Sequence, residues 1–236
     1  VLQALADAAT DRLPLFQLAL LHEDMHGEAL LMTLSGLGLM RFDPPTFPAY
    51  DDAVLHFDGG TFELGRSDRG FQFDNELPAT PVHLDAFEID AHVVSSAAFA
   101  DWKASNAVAT GKKHVAAMHV TYDDAAAYAA SLGRRLPTEA EWEFAALHSP
   151  EFWGSAGLVW EWTTSVFAPR PGFAAGPYRD YSVPSFPDAG GTGAYCQVLK
   201  GGSFATHARL KYPQYRNFYS PTRSDMFCGF RTCRSL

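Results

Sequence analysis

Leu15, Leu18, Ala19, His22, Met25, His26, Ala29, Leu30 and Thr33 recur at steps of three and four. The pattern predicts one long helix that opens at Pro14 and closes at the glycines of "SGLG". Its apolar face carries two histidines. A single helix this apolar cannot bury its surface alone, so residues 1–41 are expected to be the tail of a helical bundle whose other helices lie outside this sequence. The start, "VLQALADAATDR", has neither a Met nor a signal pattern, and an N-terminal piece is expected to precede it. The run Phe42 to Tyr50, "FDPPTFPAY", reads as an extended connector pinned to a surface, placing a linker at residues 42–56.

From Leu55 the pattern shortens. "LHFDGGTFELG" and "PVHLDAFEID" alternate as strands between Gly, Asp and Pro turns. Three helices follow: "SSAAFADWKAS" capped by Ser95 or Ser96, "TYDDAAAYAASLG" between Thr121 and Gly133, and "PTEAEWEFAAL" with Thr138 and Glu141 as a capping box. The polar run Lys103 to Lys113 reads as a loop, and Phe167 to Pro187 is loop-rich. "QVLKGGSF" and "MFCGFRTCRSL" read as core strands. Residues 57–236 thus form an α+β domain without internal repeats.

With 236 residues, 47% hydrophobic and 14% aromatic, the chain can fill a core of ordinary size. A formal charge of −9 without a clustered basic face argues against nucleic acid and leaves small molecules as the expected partners. No apolar run reaches the roughly 20 residues a membrane span needs. Cys196, Cys228 and Cys233 are an odd number without a CxxC pair, so neither a disulfide framework nor a zinc ribbon is suggested. A reducing compartment, the cytoplasm, is the expectation.

"HEDMH" brings His22 and His26 to one helix face, the spacing at which two imidazoles converge on a metal. With Glu23 it also spells H-E-x-x-H, in which the Glu would be the general base of a zinc hydrolase. The longer zinc-peptidase pattern fails at Ala29 and Met32. The plain alternative is a pair of hydrogen-bonded core histidines. Glu23 and Glu28 are candidates for orienting a ligand imidazole. Trp142, Trp160 and Trp162 read as core, and Glu139, Glu141 and Glu161 as partners of Arg135, Arg231 or backbone amides.

In order along the chain, "GGTFELG", "NELPATPVHLDAFEID", "GRRLPTEAEWEFAA", "GLVWEWTTS", "VLKGGSF" and "GFRTC" resemble the formylglycine-generating enzyme and sulfatase-modifying family from about Phe57 to Leu236. The resemblance implies a C-type-lectin-like α+β fold. The copper-binding enzymes of that family carry cysteines near Thr206 and Lys211, and neither position is Cys here. "HEDMHGE" ahead of a Pro-rich linker instead resembles the branch with a DinB-type helical bundle, the ergothioneine sulfoxide synthases and related selenoneine synthases. That branch implies Fe(II) held by His22, His26 and a third histidine from an earlier helix. Three imidazoles leave one face of an octahedral ion open for an imidazole substrate, a thiol or selenol donor and O2.

The implied substrate is hercynine, a betaine whose trimethylammonium suits aromatic faces and whose carboxylate needs donors. By the same resemblance, Asn217 contacts that carboxylate, Phe218 forms an apolar wall, and Met25 belongs to the substrate site. Tyr219 and Arg223 fall where the donor is read. Some synthases that use γ-glutamylcysteine carry Asp at the position of Tyr219, which points here to cysteine or a selenosugar. Tyr178, or alternatively Tyr181, is the proton donor that steers the reaction toward C–S coupling and away from thiol oxidation. A zinc hydrolase and a non-catalytic lectin-like binding module are the competing classes.

Overall fold

The computed structural model describes residues 2–47, 53–66, 71–104, 114–187 and 195–236. Helix α1 (Leu2–Ala6) and a 3-10 turn lead into α2 (Leu13–Gly36), which has Pro14 in its first turn, where a missing N–H leaves no bond unmade. The helix is where the pattern puts it, but its packed face is rotated. Leu18, Leu21, Met25 and Leu31 pack against the main core, with Glu28 and Met32 buried. Leu15 and Leu30, expected on the packed face, are 47% and 58% exposed. Positions 18, 21, 25, 28 and 32 form a helical stripe of their own, and the carboxylate in its middle hides it from a reading of apolar spacing.

The connector is tied to the domain. The Ala116 amide donates to the Pro45 carbonyl, the Phe47 amide donates to the His114 carbonyl, and Phe42 lies 5.8 Å and 5.5 Å from the rings of Phe204 and Phe227. The loop expected at Lys103 to Lys113 falls largely outside the described residues, as do residues 48–52 of the connector.

The domain opens with β1 (Val54–Phe57), whose first residues fall inside the expected linker, then β2 (Gly60–Leu64), β3 (Thr80–Leu84) and β4 (Phe87–Asp90). Helices α3 (Ser96–Ala104), α4 (Tyr122–Ser131), α5 (Glu139–His148) and α6 (Pro150–Ser155) follow. Ser95 accepts the Ala98 amide and so caps α3, Thr121 accepts the Asp124 amide, and Thr138 with Glu141 closes the expected capping box. The remaining elements are β5 (Trp160–Val166), α7 (Arg179–Ser182), β6 (Gln197–Lys200), β7 (Asn217–Tyr219), β8 (Cys228–Gly229) and β9 (Cys233–Ser235).

Three small sheets organise these pieces. β4 pairs antiparallel with both β1 and β9, so the first and last strands of the domain flank one partner. β2 and β3 pair antiparallel, and β7-β6-β5-β8 form a four-stranded sheet whose β5–β8 pair is parallel.

With so little regular sheet, buried side-chain pairs carry much of the connectivity. Trp142, Trp160 and Trp162 are all buried as expected. Arg231 donates twice to Glu161, which also accepts the Trp142 indole N–H at 2.7 Å. Arg135 pairs with Glu141 as expected. Glu139 instead takes Arg170 and Arg216, each at 2.8 Å, because Arg135 and Arg231 are already engaged. Burial alone would raise the Glu139 pKa, but the charges of Arg216, Arg170 and Lys200 outweigh it and hold the carboxyl at about 2. The three cysteines are free thiols. Among the described residues no helix is long and apolar enough to cross a membrane.

Candidate metal and substrate site

Helix α2 and the domain share a cavity of about 150 Å³. His22, Met25, His26, Glu28 and Ala29 form the helix wall. The facing wall is Trp160 at the start of β5, Tyr181 of α7, Leu210, Tyr215, and Asn217 and Tyr219 of β7.

The i, i+4 spacing puts the two imidazoles side by side, ring centroids 4.3 Å apart at an interplanar angle of 63°. His22 Nδ1 lies 2.7 Å from the Tyr178 hydroxyl, and that hydroxyl donates to Met25 Sδ at 3.3 Å. In the tautomer in which His22 Nδ1–H donates to the phenol oxygen, Nε2 keeps a free lone pair for a metal ion. His26 is exposed, with the Glu23 carboxylate 3.8 Å from its Nδ1. The pair therefore fits two imidazole ligands of one metal ion. Among the described residues no group of three His, Cys, Asp or Glu is arranged to hold a metal.

Glu23 does not line the cavity, and its side chain is 81% exposed. A hydrolytic base needs its carboxylate at a metal-bound water, and this one faces solvent. Glu28 does not touch an imidazole in the way the sequence suggests. Its Oε1 accepts from the Trp160 indole and the Ser203 hydroxyl and its Oε2 from Thr206.

Tyr178 and Tyr181 stack with ring centroids 4.6 Å apart, and burial pushes both phenols up and keeps them protonated. Tyr178 stands against His22 and Met25 and also borders a second cavity of about 240 Å³, while Tyr181 lines the first. Asn217 accepts the Phe218 amide at 2.9 Å through Oδ1 and lies beside Tyr219 in the cavity wall.

Two residues expected at the substrate, Phe218 and Arg223, do not line this cavity. Phe218, the middle residue of a three-residue strand, points to the opposite face from its neighbours. It stacks on Phe167 at 3.9 Å and backs Tyr181 at 5.1 Å, so it supports the wall without forming it. Arg223 is held by both oxygens of Asp225 at 2.9 Å and 2.6 Å, and its guanidinium lies 4.7 Å over the Tyr219 ring. It braces Tyr219 and does not line the cavity. Trp160, Leu210 and Tyr215 complete the wall without a sequence signal that marks them for it. The aromatic pair belongs to "GLVWEW" and "YRNFY", where a buried ring and a cavity wall have the same sequence signature.

Residues 43–155 and 151–236 match the sulfatase-modifying factor enzyme 1-like domain. A hercynine oxygenase from Mycolicibacterium thermoresistibile is 32% identical over an alignment covering 94% of this chain and 70% of that protein. The hercynine oxygenase of Mycolicibacterium smegmatis is 28% identical, with 92% and 70% covered. Among solved structures, PvdO from Pseudomonas aeruginosa shares the fold with a TM-score of 0.56 and 20% identity, covering 84% of this chain and all of that one. With the expected motifs in place and matches across nearly its whole length, the chain belongs to the sulfatase-modifying factor enzyme 1-like family, in the group that contains the hercynine oxygenases.

Proposed function

We propose that the protein is a non-heme Fe(II), O2-dependent enzyme that joins a sulfur or selenium donor to imidazole carbon 2 of hercynine. One observation carries the reading: two imidazoles with ring centroids 4.3 Å apart stand in the wall of a cavity whose other wall is aromatic and amide, in a chain similar to hercynine oxygenases. His22 and His26 would hold the metal, which supplies open coordination positions and one-electron chemistry toward O2 when bound. The overall change balances: the C2–H and chalcogen–H hydrogens leave as water with one oxygen of O2, and the other oxygen remains on the chalcogen.

The residues of this chain bind and orient. Trp160, Tyr181 and Tyr215 offer ring faces to a trimethylammonium, which cannot donate a hydrogen bond. Asn217 offers an amide N–H to the betaine carboxylate. Tyr178, hydrogen-bonded to His22 Nδ1, would orient that imidazole, and Tyr181, which lines the cavity with its phenol pushed up by burial, is placed as the general acid. At the donor end the cavity shows the phenol of Tyr219, with Arg223 neutralised by Asp225 behind it, which favours cysteine or a hydroxyl-rich selenosugar over a donor with an additional carboxylate.

The test offers the intact protein Fe(II), O2 and hercynine with γ-glutamylcysteine, cysteine and a selenosugar in competition, products being identified by mass. A hercynine product carrying cysteine or selenium is expected. Predominance of the γ-glutamylcysteine product refutes the donor assignment, and the absence of any hercynine-derived product refutes the function.

A further inference from the structure

Glu28, two residues after His26, lies in the cavity wall and is 7% exposed. Among the described residues its hydrogen-bond partners are neutral donors, the Trp160 indole at 2.9 Å, the Ser203 hydroxyl at 2.5 Å and the Thr206 hydroxyl at 2.8 Å, with the Lys211 ammonium adding a weaker attraction through space. Both hydroxyls are aimed there by the backbone. Thr206 Oγ1 accepts the Ser203 amide and Ser203 Oγ accepts the Ala205 amide, so each hydroxyl proton is left to point outward at the carboxylate. The turn that presents them is set by Gly201 and Gly202, with φ 91 and 87, values that a side chain strains to adopt. A Cβ on Gly201 would stand 3.0 Å from the Trp142 ring.

The runs "HEDMHGE", "GLVWEW" and "KGGSFAT" therefore converge on one carboxylate. One helical turn earlier, Asp24 takes both ends of the Arg209 guanidinium at 2.9 Å and 2.8 Å, a more exposed second attachment to the same loop. We infer that Glu28 is a positioning residue: by binding Trp160, Ser203 and Thr206 it fixes the rotation and depth of α2 on the domain, and so fixes where His22 and His26 stand in the cavity wall. The consequence for metal binding rests on the metal reading above, but the attachment itself does not.

The test uses the intact protein with Co(II) as the metal probe, together with hydrogen exchange of the amides of residues 22–28, which needs no metal. Glu28→Ala is expected to weaken Co(II) binding at least tenfold and to speed exchange at least tenfold. Glu28→Gln keeps an acceptor oxygen for Trp160 and Ser203, and Thr206 can turn to accept from its amide, so both readouts are expected to stay within threefold of wild type. Met32→Ala, which removes apolar packing from the same stripe, controls for loss of stability: it lowers Tm but should leave Co(II) affinity within threefold.

Unchanged Co(II) binding and exchange in Glu28→Ala overturns the inference. So does an equal loss of affinity in Met32→Ala, or a Glu28→Gln variant as impaired as Glu28→Ala, which would make the charge itself the requirement. Failure of the metal reading looks different: the wild type then binds no Co(II). In that event exchange alone decides, with protection lost only in Glu28→Ala supporting the attachment and protection retained there refuting it.

Discussion

Glu76 should make the stability of this fold fall as pH rises. Its side chain is fully buried in the 3-10 turn Asp74–Glu76, with Oε1 accepting the Tyr212 hydroxyl at 2.6 Å and Oε2 without a hydrogen-bond partner among the described residues. Burial raises its pKa from 4.5 to about 7, only partly opposed by the Tyr212 hydrogen bond and by Arg66 and Lys200. The folded state thus binds the proton more tightly than the unfolded state. Its stabilising contribution is complete below pH 4.5 and is lost progressively as pH climbs to about 7. At about 1.4 kcal/mol per pKa unit, the loss between pH 5 and pH 8 is about 2.5 kcal/mol. Glu76→Gln keeps an acceptor for Tyr212 and removes the titration. Urea unfolding of both proteins at both pH values gives a double difference in which the other titrating groups cancel. The wild type should lose about 2.5 kcal/mol relative to the variant on going to pH 8, and a difference that stays constant or reverses refutes the argument.

His22→Ala and His26→Ala should each weaken iron binding at least tenfold and abolish turnover, as read by metal analysis and product mass, while Glu23→Gln keeps most activity because its carboxylate faces solvent. Complete loss in Glu23→Gln with iron retained would favour hydrolysis. Asn217→Ala should cost about 1 to 3 kcal/mol of hercynine affinity by calorimetry, and an unchanged Kd would remove Asn217 from the substrate site. Glu139→Gln leaves Arg170 and Arg216 without their buried carboxylate and should cost about 3 to 5 kcal/mol in unfolding free energy. In the wild type, the contribution of Glu139 is full above pH 4.5 and disappears as pH falls toward 2, a loss visible in the acid limb of a stability profile that the Gln variant should lack.

Much of the local structure was legible because it follows short-range rules. Thr121, Thr138 and Glu141 act as caps where their spacing says they should, and Pro14 opens α2. Long-range choices were not legible in the same way. Glu139 could not be assigned to Arg170 and Arg216 from sequence, since partners 31 and 77 residues away are chosen by packing. The face of α2 differs from the apolar spacing for a related reason: Glu28 lies in the middle of the buried stripe and is satisfied by donors far along the chain, which apolar spacing does not register. Within the site, the histidine pair could be read from its i, i+4 spacing. Phe218 and Arg223 lie off the cavity wall because their surroundings depend on the parity of a three-residue strand and on an acid two positions along.

The seam between α2 and the domain explains why the site lies where it does. A purely apolar seam is tolerant of sliding and rotation, since one methyl group substitutes for another at little cost. The contacts at Glu28 and Asp24, and those of His22 and Met25 with Tyr178, are directional, and each is satisfied at one rotation of the helix. A buried carboxylate that lost its donors would be costly, so the wrong registers are penalised as well as the right one favoured. That discrimination is what a cavity with half its wall on a helix and half on a domain requires, because an error of about an ångström in the placement of α2 would shift His22 and His26 against the residues of the facing wall.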